Sequence, residues 1–246
     1  MSQSSQHPSG SPEPDNPLDT AFEALKTYDT GSGRAALWTL DDEVRHALGD
    51  VSARIALEQR LIRALQAKPS AVASQYICSK LALVGSELCV AALVGLLPDP
   101  LVSTAARNAL ERIPGASASK ALRHCLPSLQ GLQKIGVIQS LGAKRDASSV
   151  GKLAGLLKEL DPEVATAAAY SLGQIANVKA GKVLLEFLSS VPEALRPKIA
   201  AAALACAGRL LTEGHQAEAR RLYTVLAAPS ESPQIRQAAA RALTNF

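Results

Sequence analysis

Apolar residues recur every three to four positions through most of the chain, the spacing of one buried helix face. Several stretches superimpose on one another without gaps: DPLVSTAARNALERI (99–113), DPEVATAAAYSLGQI (161–175), RPKIAAAALACAGRL (196–210) and SPQIRQAAARALTNF (232–246). Pro is second in each (Pro100, Pro162, Pro197, Pro233), and an aliphatic residue is fourth (Val102, Val164, Ile199, Ile235). Ala is eighth (Ala106, Ala168, Ala203, Ala239), and the twelfth position is an anchor at Leu110, Leu172, Ala207 and Leu243. SAVASQYICSKLALV (70–84) and QGLQKIGVIQSLGAK (130–144) follow the same frame, with anchors Leu81 and Leu141. Successive anchors are 29, 31, 31, 35 and 36 residues apart.

The frame predicts where each of these helices starts. Ser70, Asp99, Asp161 and Ser232 can accept hydrogen bonds from the unpaired amides of a first turn. Pro directly after them is tolerated, because no amide is needed there. Gly142, Gly173 and Gly208 follow the anchor and allow close helix approach or early termination. Between these helices lie partners of the same period: 51–67, 86–97, 117–129, 146–160, 178–191 and 215–228. The result is about six helix pairs with short connections. One such pair cannot bury its apolar face alone, so stacking into an α-α superhelix is the stable arrangement. The expected organisation is a disordered Pro- and Ser-rich tail over 1–17, an N-terminal capping segment over 18–50 and a repeat solenoid over 51–246.

Composition narrows the function classes. The chain holds 44 Ala and 36 Leu, whereas Phe, Trp and Tyr make up 3%. A β-sandwich or barrel needs more β-branched and aromatic residues, and a base-stacking nucleic-acid module needs aromatic platforms. The net charge of +4 is too small to imply nucleic acid. No apolar run reaches the length of a membrane span. Residues 1–17 lack Lys, Arg and an apolar stretch, so they do not read as a secretory signal. Cys78, Cys89, Cys125 and Cys206 lack CxxC spacing and read as free thiols in a reducing compartment, so a cytoplasmic location is expected.

The phrase DPxVxxxAAxxLGxI resembles the second helix of HEAT repeats, including the HEAT-like repeats of the phycobilin-lyase type, over about 51–246. ALKTYDTGSGRAAL (24–37), LALVG (81–85), ARNALERIP (106–114) and VIQSLGAKRDA (137–147) are similar to the layout of bacterial HEAT-repeat domain proteins. The resemblance implies an all-α HEAT-like solenoid used as a non-catalytic binding scaffold. HEAT repeats often carry Arg just after the Val. Here Arg236 matches, whereas Ser103, Ala165 and Ala200 do not, so a conventional Asp–Arg ladder is not expected.

In HEAT-like solenoids the second helices line the concave face. Given that, the sixth and tenth frame positions, one turn apart and facing away from the core, form an exposed strip. They are Gln75 and Ser79, Thr104 and Asn108, Ile135 and Gln139, Thr166 and Tyr170, Ala201 and Ala205, Gln237 and Arg241, with Arg107 added from the ninth position. A neutral strip of hydroxyls and amides around one Tyr suits a protein partner. Nucleic acid would need more Lys and Arg along it. Lys26, Tyr28, Asp29 and Arg34 form a separate N-terminal motif. It is expected to act as a cap, with Asp29 or Ser32 starting the next helix and Arg34 paired to a carboxylate; the alternative is a ligand or partner site. Trp38 is expected to cover the open end of the first repeat.

Catalytic constellations are not evident. His7, His46, His124 and His215 are dispersed, and His46 has no HExxH spacing or second His beside it. His124 and Cys125 would point about 100° apart on a helix. No phosphate-binding loop or nucleophile elbow is present. Neither a metal nor a cofactor is expected, and an enzyme is not. The alternative functions are a HEAT-like lyase or chaperone for a tetrapyrrole-type chromophore, and a DNA-binding HEAT-like protein.

Overall fold

The computed structural model describes residues 16–244 and Phe246. The tail expected over 1–17 therefore lies outside the described residues up to Asp15. Asn16 and Pro17 belong to the first helix instead. The described residues contain helices and turns and no strand.

The chain divides into two compact units, one ending at Gly85 and the other spanning Ser86–Phe246. The first contains α1 (Pro17–Thr27), α2 (Trp38–Ala47), α3 (Val51–Gln66) and α4 (Ala71–Val84). The pair α3–α4, expected to open the repeats, is thus grouped with the N-terminal segment. The starts of three of these helices are chemically marked. Asn16 accepts from the Leu18 amide, Asp50 from the Ser52 and Ala53 amides, and Ser70 from the Ala73 amide. Leu25, Leu37, Leu40, Leu61, Ile77 and Leu81 fill the core of this unit.

Trp38 does not cover a repeat end; it is 63% exposed. The reason is helical phase. Leu40, Val44 and Ala47 form the buried stripe of α2, and two residues of offset place Trp38 about 200° from Leu40.

The second unit contains α5 (Val90–Val94), α6 (Ser103–Arg112), α7 (Ser117–Cys125), α8 (Gly131–Ala143), α9 (Val150–Leu156), α10 (Pro162–Ile175), α11 (Val178–Leu188), α12 (Arg196–Thr212), α13 (Gln216–Leu226) and α14 (Pro233–Leu243). Each odd-numbered helix packs on the even-numbered helix that follows it, and α8, α10 and α12 pack side by side. The eighth-position alanines Ala106, Ala168, Ala203 and Ala239 are fully buried, as are the anchors Leu110, Leu141, Leu172 and Ala207. Ile235 and Leu243 are only half-buried, because α14 is packed by α12 and α13 on one side.

Asp161 and Ser232 cap their helices, accepting from the Glu163 and Ile235 amides. Asp99 departs from the expectation. Its carboxylate accepts from the Leu101 amide within a turn, and regular helix begins only at Ser103. The chain from Gly95 to Val102 is almost entirely turn, so the first turn of α6 is distorted although the Asp99 carbonyl still accepts from Ser103.

Two of the three anchor glycines are sites of close approach. A Cβ on Gly142 would come within 2.8 Å of Ser171 on α10, and a Cβ on Gly173 within 2.7 Å of the Ala202 carbonyl on α12. Neither glycine ends its helix. Gly208 has ordinary space, with the Tyr223 hydroxyl at 3.6 Å.

Candidate functional site

Second-helix positions six and ten are largely exposed, as the frame requires. In the Ser86–Phe246 unit, Thr104, Asn108, Gln139, Tyr170, Ala201, Ala205, Gln237 and Arg241 are exposed, while Thr166 and Ile135 are half-buried. Thr166 spends its hydroxyl on the Pro162 carbonyl one turn back. Tyr170, 53% exposed, is the one large aromatic on this face of α10. Gln75 and Ser79 are exposed on α4, which belongs to the other unit.

Arg107 is not a free binding group. Its guanidinium donates to the Gly136 carbonyl at 3.1 Å and to the Ser140 hydroxyl at 3.2 Å, filling the space above Gly136. Ser140 donates in turn to Glu111 at 2.6 Å. Burial pulls the Arg107 pKa down, opposed by the charge of Glu111. The ninth position thus staples α6 to α8. Sequence reasoning missed this because the staple depends on a glycine on the neighbouring helix.

Other basic residues do similar work. The Lys144 ammonium donates to the Glu111 and Ile113 carbonyls at the end of α6, at 3.2 and 2.8 Å. Arg145 reaches the Ile175 carbonyl at the end of α10, and Arg209 reaches the neighbouring Gln174 carbonyl. Cations at helix C-termini satisfy unpaired carbonyls and oppose the helix dipole. Of the two clearest basic pairs, Lys144–Arg145 is therefore engaged within the fold, while Arg220–Arg221 is exposed on α13. No conventional Asp–Arg ladder is needed, because side chains from one repeat cap helices of another.

The N-terminal motif is a packed cap for its own unit. The Tyr28 carbonyl accepts from the Ser70 hydroxyl at 2.5 Å, and its ring lies 6.3 Å from that of Tyr76. Asp29 accepts from Thr30, while its amide donates to Ser32. These two residues close a turn and do not start a helix; the next helical turn begins at Ala35. Arg34 pairs with Asp41 at 3.5 Å, as expected. Lys26 pairs with Glu23 on the surface.

Asp41 is the centre of a cluster that sequence reading did not find. It accepts from Tyr76 at 2.7 Å and pairs with Lys80 at 2.6 Å, and the Lys80 ammonium lies 4.5 Å from the Tyr76 ring centre. Tyr76 and Lys80 are one turn apart on α4, an i,i+4 pair that could have been noticed. Burial pushes the Asp41 carboxyl up, but hydrogen bonds from Lys80 and Tyr76 and the charges of Lys80 and Arg34 outweigh it. Its pKa therefore lies below the usual carboxylate value. Burial first, and then the Asp41 hydrogen bond, hold the Tyr76 phenol far above its usual value. These shifts stabilise a charged aspartate and a neutral tyrosine, which is structural chemistry.

His124 is exposed, while the Cys125 thiol is turned to the Leu122 carbonyl at 3.3 Å. Burial raises the Cys125 pKa, so the thiol is protonated at neutral pH. Among the described residues, no group of three or more His, Cys, Asp and Glu could hold a metal ion. No helix among them is long and apolar enough to cross a membrane.

Stacked helix pairs with alanine contacts and anchor leucines define an α-solenoid repeat architecture. Residues 133–205 match the family described as HEAT repeats. No curated protein sequence matches the chain. One solved structure, the complex of CpcE and CpcF of phycocyanin lyase from Nostoc sp. PCC7120, is similar at 19% identity and a TM-score of 0.44, over 100% of both chains.

Proposed function

We propose that the chain is a non-catalytic scaffold that binds a partner protein along the exposed face of α6, α8, α10, α12 and α14. The observation that carries this reading is Tyr170, held out from α10 among exposed amides and small side chains. A Tyr in neutral surroundings offers contact area and a hydrogen bond at low side-chain entropy cost. Lys144, Arg145 and Arg209 are bound into helix ends and Arg107 into α8, which leaves Arg241 as the exposed cation among the frame positions of this face and favours a protein partner over nucleic acid.

The test is site-specific photo-crosslinking in native lysate, with the probe at position 170 and a control probe at Lys152 on α9. A discrete adduct at 170 that is absent at 152 supports the reading. Capture of that adduct partner is expected to fall when Tyr170→Ala is combined with Gln139→Ala. Equal capture by the wild type and the double variant would remove the assignment of this face.

A further inference from the structure

A groove of about 590 Å³ lies between the C-terminal halves of α1 and α3. That volume is in the range of small-molecule sites. Its floor is apolar, formed by Phe22, Leu25 and Ala64 with the adjoining turn, and four cations line it: Lys26, Arg60, Arg63 and Lys68. No carboxylate is among the lining residues.

Part of this charge has a structural explanation. Lys26 and Arg63 sit in the last turns of their helices, where they oppose the dipole. Lys26 pairs with Glu23, and Arg60 pairs with Asp19 while lying 4.3 Å over the Phe22 ring. Arg63 and Lys68 have no carboxylate partner among the described residues. Lys68 adopts a left-handed φ of 54°, at a helix end where Gly would be the unstrained choice.

We propose that this groove binds a small apolar carboxylate. Its aromatic or aliphatic body rests on Phe22, Leu25 and Ala64, and its carboxylate is held by Arg63 and Lys68. The occupant follows from charge complementarity: two cations with no carboxylate partner among the described residues, beside an apolar floor, match one anion attached to one apolar body. A charge-assisted contact fixes the orientation, and the floor supplies the contact area.

The test is a fluorescence-anisotropy titration of the full chain with pyrenebutyrate, and with pyrenebutanol as the uncharged match. The carboxylate is expected to bind about tenfold tighter than the alcohol, as expected for a charge-assisted contact. Arg63→Gln with Lys68→Gln is expected to erase that difference while leaving the chain folded with a cooperative thermal transition, since both side chains are exposed. Lys68→Glu alone is expected to reduce carboxylate binding further than Lys68→Gln. Arg221→Gln, on α13 of the other unit, is expected to change nothing. Equal binding of the two probes, or an unchanged preference in the double variant, would overturn the proposal. Displacement of the pyrenebutyrate by a synthetic acidic amphipathic helix that binds more tightly would overturn it as well, by assigning the groove to a protein segment.

Discussion

Ser171 occupies the space that a side chain on Gly142 would need: a Cβ there would lie 2.8 Å from both the Cα and the Cβ of Ser171. The same serine donates its hydroxyl to the Ile138 carbonyl on α8 at 2.9 Å. The α8–α10 contact is therefore both close and hydrogen-bonded, and it has no room for a methyl group. Gly142→Ala is expected to destabilise the chain by about 1–3 kcal/mol, the usual effect of overpacking, despite the better helix propensity of Ala. Gly173→Ala is expected to act in the same way at α12. Gly208→Ala meets only ordinary contact and is expected to be neutral or stabilising by up to about 1 kcal/mol. Urea denaturation midpoints of the three variants check this ordering.

Glu231 is almost fully buried and accepts two hydrogen bonds from Arg196, at 3.0 and 2.7 Å. Arg196 also donates to the Leu188 carbonyl, so the pair ties the start of α12 to the end of α11 and to the turn before α14. Glu231→Ala strands a guanidinium in a mostly closed site and is expected to cost about 3 kcal/mol, the low end for a broken buried pair. The exposed pair Lys198–Glu163 makes a contrasting case. Glu163→Ala is expected to cost under about 1 kcal/mol. Chemical denaturation of both variants side by side decides the contrast.

The helix frame was legible in the sequence because alanine at the eighth position and leucine at the twelfth report burial directly. The outward face followed from the same phase, and Tyr170 and Gln139 are exposed as expected. Three features were not legible, each for a physical reason. Trp38 has the size to cover a repeat end, whereas the phase of Leu40 and Val44 decides its direction. Asp99 has the cap chemistry, but turns lead into its helix and distort the first turn. Arg107 reads as exposed from its own helix, while its fate depends on Gly136 across the interface. Residues whose position depends on a neighbour, such as Asp41 between Tyr76 and Lys80, leave little trace in a linear pattern.

Burial pushes the Cys78 and Cys206 thiols up to about 12. In the unfolded chain these thiols ionise near about 8.5. A raised acid pKa in the folded state favours the native protein only while the unfolded thiol stays protonated. Stability is therefore full below that value and is lost as pH rises from there towards 12. Cys78→Ala with Cys206→Ala is expected to flatten this alkaline slope, as read from urea midpoints across the range. Under native conditions a thiol reagent is expected to label half-buried Cys125 before Cys78, Cys89 and Cys206.

Asp41 gives the opposite sign. Its folded pKa is depressed, so its contribution is present above the unfolded carboxylate value of about 3.9 and is lost as pH falls through the folded value. Asp41→Asn is expected to remove that part of the acid sensitivity. The variant should lose less stability than the wild type between neutral and acidic pH. An identical acid slope in both proteins would show that the Lys80 and Tyr76 contacts do not survive in solution.

Helix α10 is packed against α8, α9, α11 and α12, and nine of its residues are buried. Its backbone is therefore immobilised before any partner arrives. A recognition residue on a frayed or terminal helix must be ordered as it binds, and that ordering subtracts from affinity. Tyr170 instead stands on the helix with the most buried residues in its unit, so a partner docking on the proposed face would have to still one side chain and not a helix. The alanine packing that makes the sequence look plain is what turns this exposed ring into a preorganised one.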